Sequence, residues 1–244
     1  MIQPIPPGQD LTTLAGEPCD DSVCNPLAQL KSAIGFLQGI PVASLDIEHL
    51  LVVHRLVMPA GQPQAGRWRD GPVVVWLGSG THSRRLPDPA EARQLAADAL
   101  SWLAVELAGE SLPAHQTALS SEIVRRLVLA HPFPDGNGRV ARALGSWVLV
   151  RSGYKLIADP GAFLHDKGEI AYTILETFDT SDPASPGGAA WHSLFRLAIA
   201  SCFVPSPELF TTELPFREAP EFQWAASIGA LMRSRLTQPG PGRG

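Results

Sequence analysis

His131-Pro132-Phe133-Pro134-Asp135-Gly136-Asn137-Gly138-Arg139 interrupts a pattern that is helical on both sides of it. Upstream, Leu119, Ile123, Leu127 and Ala130 share one helical face, with Val124 and Val128 beside them, which predicts a helix over 113–130. Downstream the period resumes at about Gly138 and runs through Leu144 and Val148 to Arg151, with Gly153 as its stop. Two helices therefore flank one short loop.

His131, Asp135, Asn137, Arg139 and Arg142 fall within twelve positions, and Gly136 and Gly138 punctuate the turn into the second helix. That is an inventory suited to a nucleotide. Backbone N–H groups at a helix N-terminus point outward unpaired and carry partial positive charge, and glycines let a phosphate come close to them. Arg139 and Arg142 are three apart, so both can fork onto phosphate oxygens from one face. Asp135 is a hard oxygen ligand of the kind Mg²⁺ takes when phosphates and water supply the rest. His131, with an ordinary pKa of about 6.5, is the side chain suited to accept a proton from a hydroxyl near neutral pH.

This run resembles the signature of the Fic family, written HPFx(D/E)GN(G/K)R, and all of its specified positions match: His131, Pro132, Phe133, Asp135, Gly136, Asn137, Gly138 and Arg139. The family's further arginine is present as Arg142. The likeness extends through LLVVHRLV (50–57), AGRWR (65–69), the VVVWL stretch and SGY (152–154), and covers residues 25–202. It implies a helical bundle whose central helices are joined by the signature loop, and a hairpin flap that holds a target segment by strand addition. It further implies a protein adenylyltransferase. His131 would deprotonate a Ser, Thr or Tyr hydroxyl of a target protein, which attacks the α-phosphorus of ATP, with Asp135 on Mg²⁺. Gly136, Asn137 and Gly138 would cradle phosphate, Asn137 adding an amide donor, and Arg139 and Arg142 would bind the outer phosphates. Phe133 would be a buried anchor, and Tyr172 falls where family members place an aromatic beside the nucleotide base. In the kinase-like Doc branch a lysine stands at position 138 and the glycine before Asn137 is replaced, so Gly138 favours transfer of the α-phosphoryl group. Other phosphate donors such as UTP or CDP-choline remain open, as does a Fic-fold protein that binds without catalysing. The family's inhibitory pattern (S/T)xxxE(G/N) has no clean match: Thr13 to Glu17 ends in Pro18, and Ser44 to Glu48 lies in the approach to His54. Inhibition then comes from a separate protein, from a diverged element, or not by that route.

Outward from the loop, Asn25-Pro26 reads as N-cap and first turn of a helix carrying Leu27, Leu30, Ile34 and Leu37. Ser44 is expected to open a second helix through Leu51 and Leu56. Val73-Val74-Val75-Trp76-Leu77 followed by Gly78-Ser79-Gly80 predicts a short hairpin, which Trp68 and Trp76 would pack onto the bundle. Asp88-Pro89-Ala90-Glu91 launches a helix to about Leu107. Further helices are expected over 166–178, 191–202 and 221–236. The class is all-α with a small β-hairpin. An irregular arm (1–24), a domain over 25–202 and a proline-punctuated tail (203–244) complete the organisation.

A formal net charge of −5 argues against a coat of nucleic-acid backbone, and no window approaches a membrane span, so neither nucleic acid nor membrane is an expected partner. Cys19, Cys24 and Cys202 match no disulfide framework or metal spacing. With no leader-like N-terminus, the cytoplasm is the expected compartment, and a secreted effector with a non-cleaved signal would read the same way. His49, His54, His82, His115, His165 and His192 read as structural or solvated, and Arg125-Arg126 and Arg84-Arg85 as solvated charges.

Overall fold

The computed structural model describes residues 25–77, 82–109, 113–161 and 186–205. The arm over 1–24, Tyr172, the helices expected over 166–178 and 221–236, and the tail beyond 205 lie outside the described residues.

Helix α1 (Pro26–Gln38) starts as its sequence suggests, with the Asn25 side chain accepting from the Leu27 N–H at 2.9 Å. Helix α2 (Ile47–Val57) corrects one expectation. Its N-cap is Asp46, whose Oδ1 accepts from the N–H groups of Glu48 and His49, whereas Ser44 ends a 3₁₀ turn, Val42–Ser44. A carboxylate two residues nearer the first turn is in reach of two orphan donors and displaces the serine from that role.

Strands β1 (Val74–Leu77) and β2 (His82–Arg85) form the expected hairpin, antiparallel, with Val74 opposite Arg85 and Leu77 opposite His82. Helix α3 (Pro89–Ala108) follows, capped by Asp88 Oδ1 accepting from Glu91 N–H. Helices α4 (Pro113–Ala130) and α5 (Asn137–Arg151) flank the loop. The last helix, α6 (Pro186–Cys202), begins five residues before the expected 191, because proline fits a first helical position and the glycines after it do not stop the turn. A second two-stranded sheet, unread in the sequence, pairs β3 (Tyr154–Leu156) with β4 (Phe203–Pro205).

Helix α5 is the axis of the fold. Val140, Ala141, Ala143, Leu144, Trp147, Val148 and Leu149 are all buried, so it is covered on every side, packing against α1, α2 and α4. It approaches α4 closely at Gly145, where an added Cβ would lie 2.6 Å from Val124 Cγ2, and Ser120 Oγ donates to the Gly145 carbonyl at 2.8 Å. That contact fixes how far apart the two ends of the loop stand.

The α4–α6 seam is polar where solvated charge was expected. Arg125 is buried and donates twice to Glu122, which also accepts from Arg126, while the Arg126 guanidinium lies 4.2 Å from the Trp102 ring centre. Ser121 bonds His192 Nδ1 at 2.7 Å, and Trp191 Nε1–H donates to the Ser121 carbonyl. No described helix is long and apolar enough to cross a membrane.

Candidate active site

The chain leaves α4 through His131, whose φ of 50° lies in the left-handed region and is the one positive value at a non-glycine among the described residues. Its N–H still closes the last helical turn onto Leu127 O at 3.0 Å. The imidazole Nδ1 sits 3.2 Å from Val128 O, and since a carbonyl can only accept, Nδ1 carries the proton. Nε2 is then the nitrogen with the open lone pair. Burial pushes the His131 pKa down, helped by the Arg69 charge and opposed by the bond to Val128 and by Asp135, so the ring is neutral at pH 7.

Phe133 anchors the loop. It is fully buried and stacked between His54, at 4.1 Å between ring centres, and Trp68, at 4.9 Å. Trp68 therefore packs on the loop itself. Asn137 closes the same turn from the other side: its Oδ1 accepts from Phe133 N–H at 2.9 Å and its Nδ2 donates to Phe133 O at 2.8 Å. The residue is 3% exposed, so its side chain faces inward and its backbone N–H is what it can offer an anion. The expected amide donor toward phosphate is thus already engaged within the loop.

Gly136 supplies the N-cap position of α5 at φ 77° with no side-chain cap. A Cβ there would stand 2.5 Å from Met58 Sδ and 3.0 Å from His54 Nε2, so both conformation and space demand glycine. The first helical hydrogen bond of α5 is Val140 N–H to Gly136 O, at 3.0 Å. The N–H groups of residues 137–139 stand before it, in the set that a helix cannot satisfy internally. With the helix dipole behind them they form an anion cradle.

Asp135, at the lip of the cradle, has a side chain 66% exposed and 4.0 Å from Arg139 Nη2. A solvent-facing carboxylate beside a phosphate cradle fits Mg²⁺ held chiefly by phosphate and water, and among the described residues no group of three or more His, Cys, Asp or Glu could cage a metal. Arg139 also places Nη1 3.0 Å from Met58 Sδ. The Arg142 guanidinium lies between Gly138 and Gly161, within 3.2 Å and 2.8 Å of where their Cβ atoms would be. The structure thus brings His131, Asp135, Gly136, Asn137, Gly138, Arg139 and Arg142 together around one turn.

Three supporting residues were not placed at the site by the sequence, although His54 was rightly read as structural or solvated. His54, on α2 and fully buried, accepts from Gly66 N–H at Nδ1 and so donates from Nε2 to Asp135 O, both at 3.0 Å. Its pKa is pushed down to about 4 by burial, which outweighs the bond to the Asp135 backbone and the Asp135 charge. The neutral ring holds the loop's far end. Met58 forms the floor under Gly136 and Arg139. Arg69, 2% exposed, donates from Nε to His131 O at 2.7 Å. A histidine inside an apolar run, LLVVHRLV, was the available signal for His54; Arg69 bonds only backbone oxygens, and every residue has one.

Residues 44–149 match the Fic/DOC family. Protein adenylyltransferase fic-1 of Caenorhabditis briggsae is 32% identical over 117 residues, which is 48% of this chain and 21% of that protein. Protein adenylyltransferase Fic of Nematostella vectensis is 34% identical over 112 residues, 46% of this chain and 24% of that protein. The chain thus spans about a quarter or less of the length of these curated relatives. A Fic domain-containing signaling protein from Bacteroides thetaiotaomicron VPI-5482 superposes with a TM-score of 0.53 at 21% identity, over 72% of this chain and 71% of that one, and shares the fold.

Proposed function

We propose, from the match of residues 44–149 to the Fic/DOC family, that this chain is a protein adenylyltransferase, moving AMP from ATP to a Ser, Thr or Tyr hydroxyl of a target protein. The observation that carries this reading is the His131 tautomer: Nδ1–H is committed to Val128 O, so Nε2 is the base, one turn before an anion cradle flanked by Arg139 and Arg142. The likeness to two curated adenylyltransferases supports the same chemistry.

In this mechanism His131 Nε2 takes the hydroxyl proton as the target oxygen bonds to the α-phosphorus. The bond from the α-phosphorus to the bridging oxygen breaks, and pyrophosphate leaves with that electron pair. Cradle N–H groups and the two arginines offset the charge on the phosphates in flight. Asp135 would hold Mg²⁺, which neutralises charge on the leaving pyrophosphate. Gly138 leaves the cradle unobstructed by a side chain, which favours α- over γ-transfer.

The test uses ATP labelled at the α- or the γ-phosphate, Mg²⁺, and wild-type or His131→Ala protein, with self-modification and an added extract read together. The expected result is α-label alone on protein, reduced on the order of 10²-fold or more without His131. Retention of γ-label instead would mean a kinase. Label only from UTP or CDP-choline would move the donor, and none from any donor would point to a binding role.

A further inference from the structure

We propose that Arg69 is a positioning residue for the base, tying both feet of the β1–β2 hairpin to the His131 carbonyl so that hairpin and base are held as one unit. The inference rests on reading His131 as the base. Its geometry is independent of that reading.

Arg69 Nε–H donates to His131 O at 2.7 Å, Nη1 donates to Gly71 O at 2.9 Å, and Nη2 donates to Pro87 O. Gly71 lies just before β1 and Pro87 just after β2, and Leu86 N–H to Val73 O, at 3.3 Å, joins the same two feet. The residue's own backbone is held as well. Its N–H donates to Pro132 O at 3.1 Å, and its carbonyl accepts from Arg93 Nη2 at 3.3 Å. One planar guanidinium thus reaches three carbonyls from a site 2% exposed. Lysine, a single ammonium on a flexible stem, cannot reproduce that fork.

The bond to His131 matters because of where the carbonyl sits. At φ 50°, His131 occupies a region that non-glycine residues leave readily unless held, and the carbonyl and the ring turn about the same Cα. Released from Arg69, the peptide after His131 can rotate, and Nε2 swings away from the α5 N-terminus. A force on the hairpin reaches the base through the same three bonds. A target strand laid along β1–β2 would then set the aim of the group that deprotonates it.

The test compares full-length wild type, Arg69→Lys and Arg69→Gln by nitrogen NMR of labelled histidines, with His131→Ala to assign the signal, alongside the α-label assay. Wild type should show His131 as one Nδ1–H tautomer. In the variants, with helical circular dichroism retained, the tautomers should mix and kcat should fall by about tenfold to a hundredfold, while KM for ATP stays within about twofold. A folded Arg69→Lys protein that keeps the single tautomer, or the wild-type kcat, overturns the proposal. If wild type transfers nothing from ATP, the proposed activity fails by itself and the tautomer spectra alone decide the role of Arg69. If neither variant folds, wild-type Arg69 Nε–H exchange decides: slow exchange supports the clasp, and exchange as fast as at the exposed Arg151 overturns it.

Discussion

Asn137 satisfies both polar groups of Phe133 with one amide, and both are buried beside a ring that His54 and Trp68 enclose. Asn137→Ala strands a buried donor and a buried acceptor together. It should destabilise the domain by about 1–3 kcal/mol, read as a lower urea midpoint at unchanged slope, and should weaken nucleotide binding because the cradle loses its inner brace. Gly136 is held by different physics. An alanine there meets φ 77° and a sulfur 2.5 Å from its Cβ, so Gly136→Ala should cost about 1–3 kcal/mol and abolish ATP binding by calorimetry. A Gly136→Ala protein with native stability would show that the loop and Met58 yield easily.

Between elements, the α4–α5 contact decides whether the loop's two ends are the right distance apart. Gly145→Ala drives a methyl to 2.6 Å from Val124 Cγ2 and 3.1 Å from Ser120 O, and the expected loss is about 1–3 kcal/mol by thermal or urea unfolding. Gly35→Ala, on α1 with nothing within 4 Å of the added methyl, is the control and should be neutral or stabilising. Nothing in the sequence marks Gly145 as different from Gly35, since the difference is the neighbour across the interface. The same reasoning separates what was legible from what was not. Caps at Asn25 and Asp88, the hairpin and the two helices around the loop are local, and each is read from residues within a turn of one another. The β3–β4 sheet pairs Tyr154 with Pro205 across about fifty residues of sequence, and three-residue strands carry no period of their own. Arg125 looked solvated because its partner, Glu122, sits one turn away on a helix whose outer face α6 covers. The site residues were legible as a string; His54 and Arg69, which aim that string, were not, because they bind its backbone.

Three histidines on three different parts of the fold share one electrostatic condition. His54 on α2, His131 at the end of α4 and His192 on α6 all have pKa values pushed below 6.5, in each case first by burial. The His192 shift is opposed by Glu122 and assisted by Arg196 and Arg125. A histidine with a depressed folded pKa binds its proton more readily when the chain is unfolded. Its contribution is therefore fully present above 6.5 and lost as pH falls toward the folded value, about 4 for His54. Glu122 behaves as a depressed carboxylate: burial alone would raise it, but Arg125 and Arg126 together bring it below 4.5, so its contribution is lost only below that pH. The window between 6.5 and 4.5 thus belongs to the histidines. From pH 7 to pH 5 the His54 shift alone is worth about 2 kcal/mol, and a protonated Nδ1 would also face the Gly66 N–H that now donates to it. Urea midpoints measured across that range should fall steeply, and His54→Asn, which cannot take a proton, should start less stable and show a shallower slope. A wild-type midpoint that stays level from pH 7 to pH 5 would mean that the loop's brace is wet enough for His54 to titrate as it does in the unfolded chain.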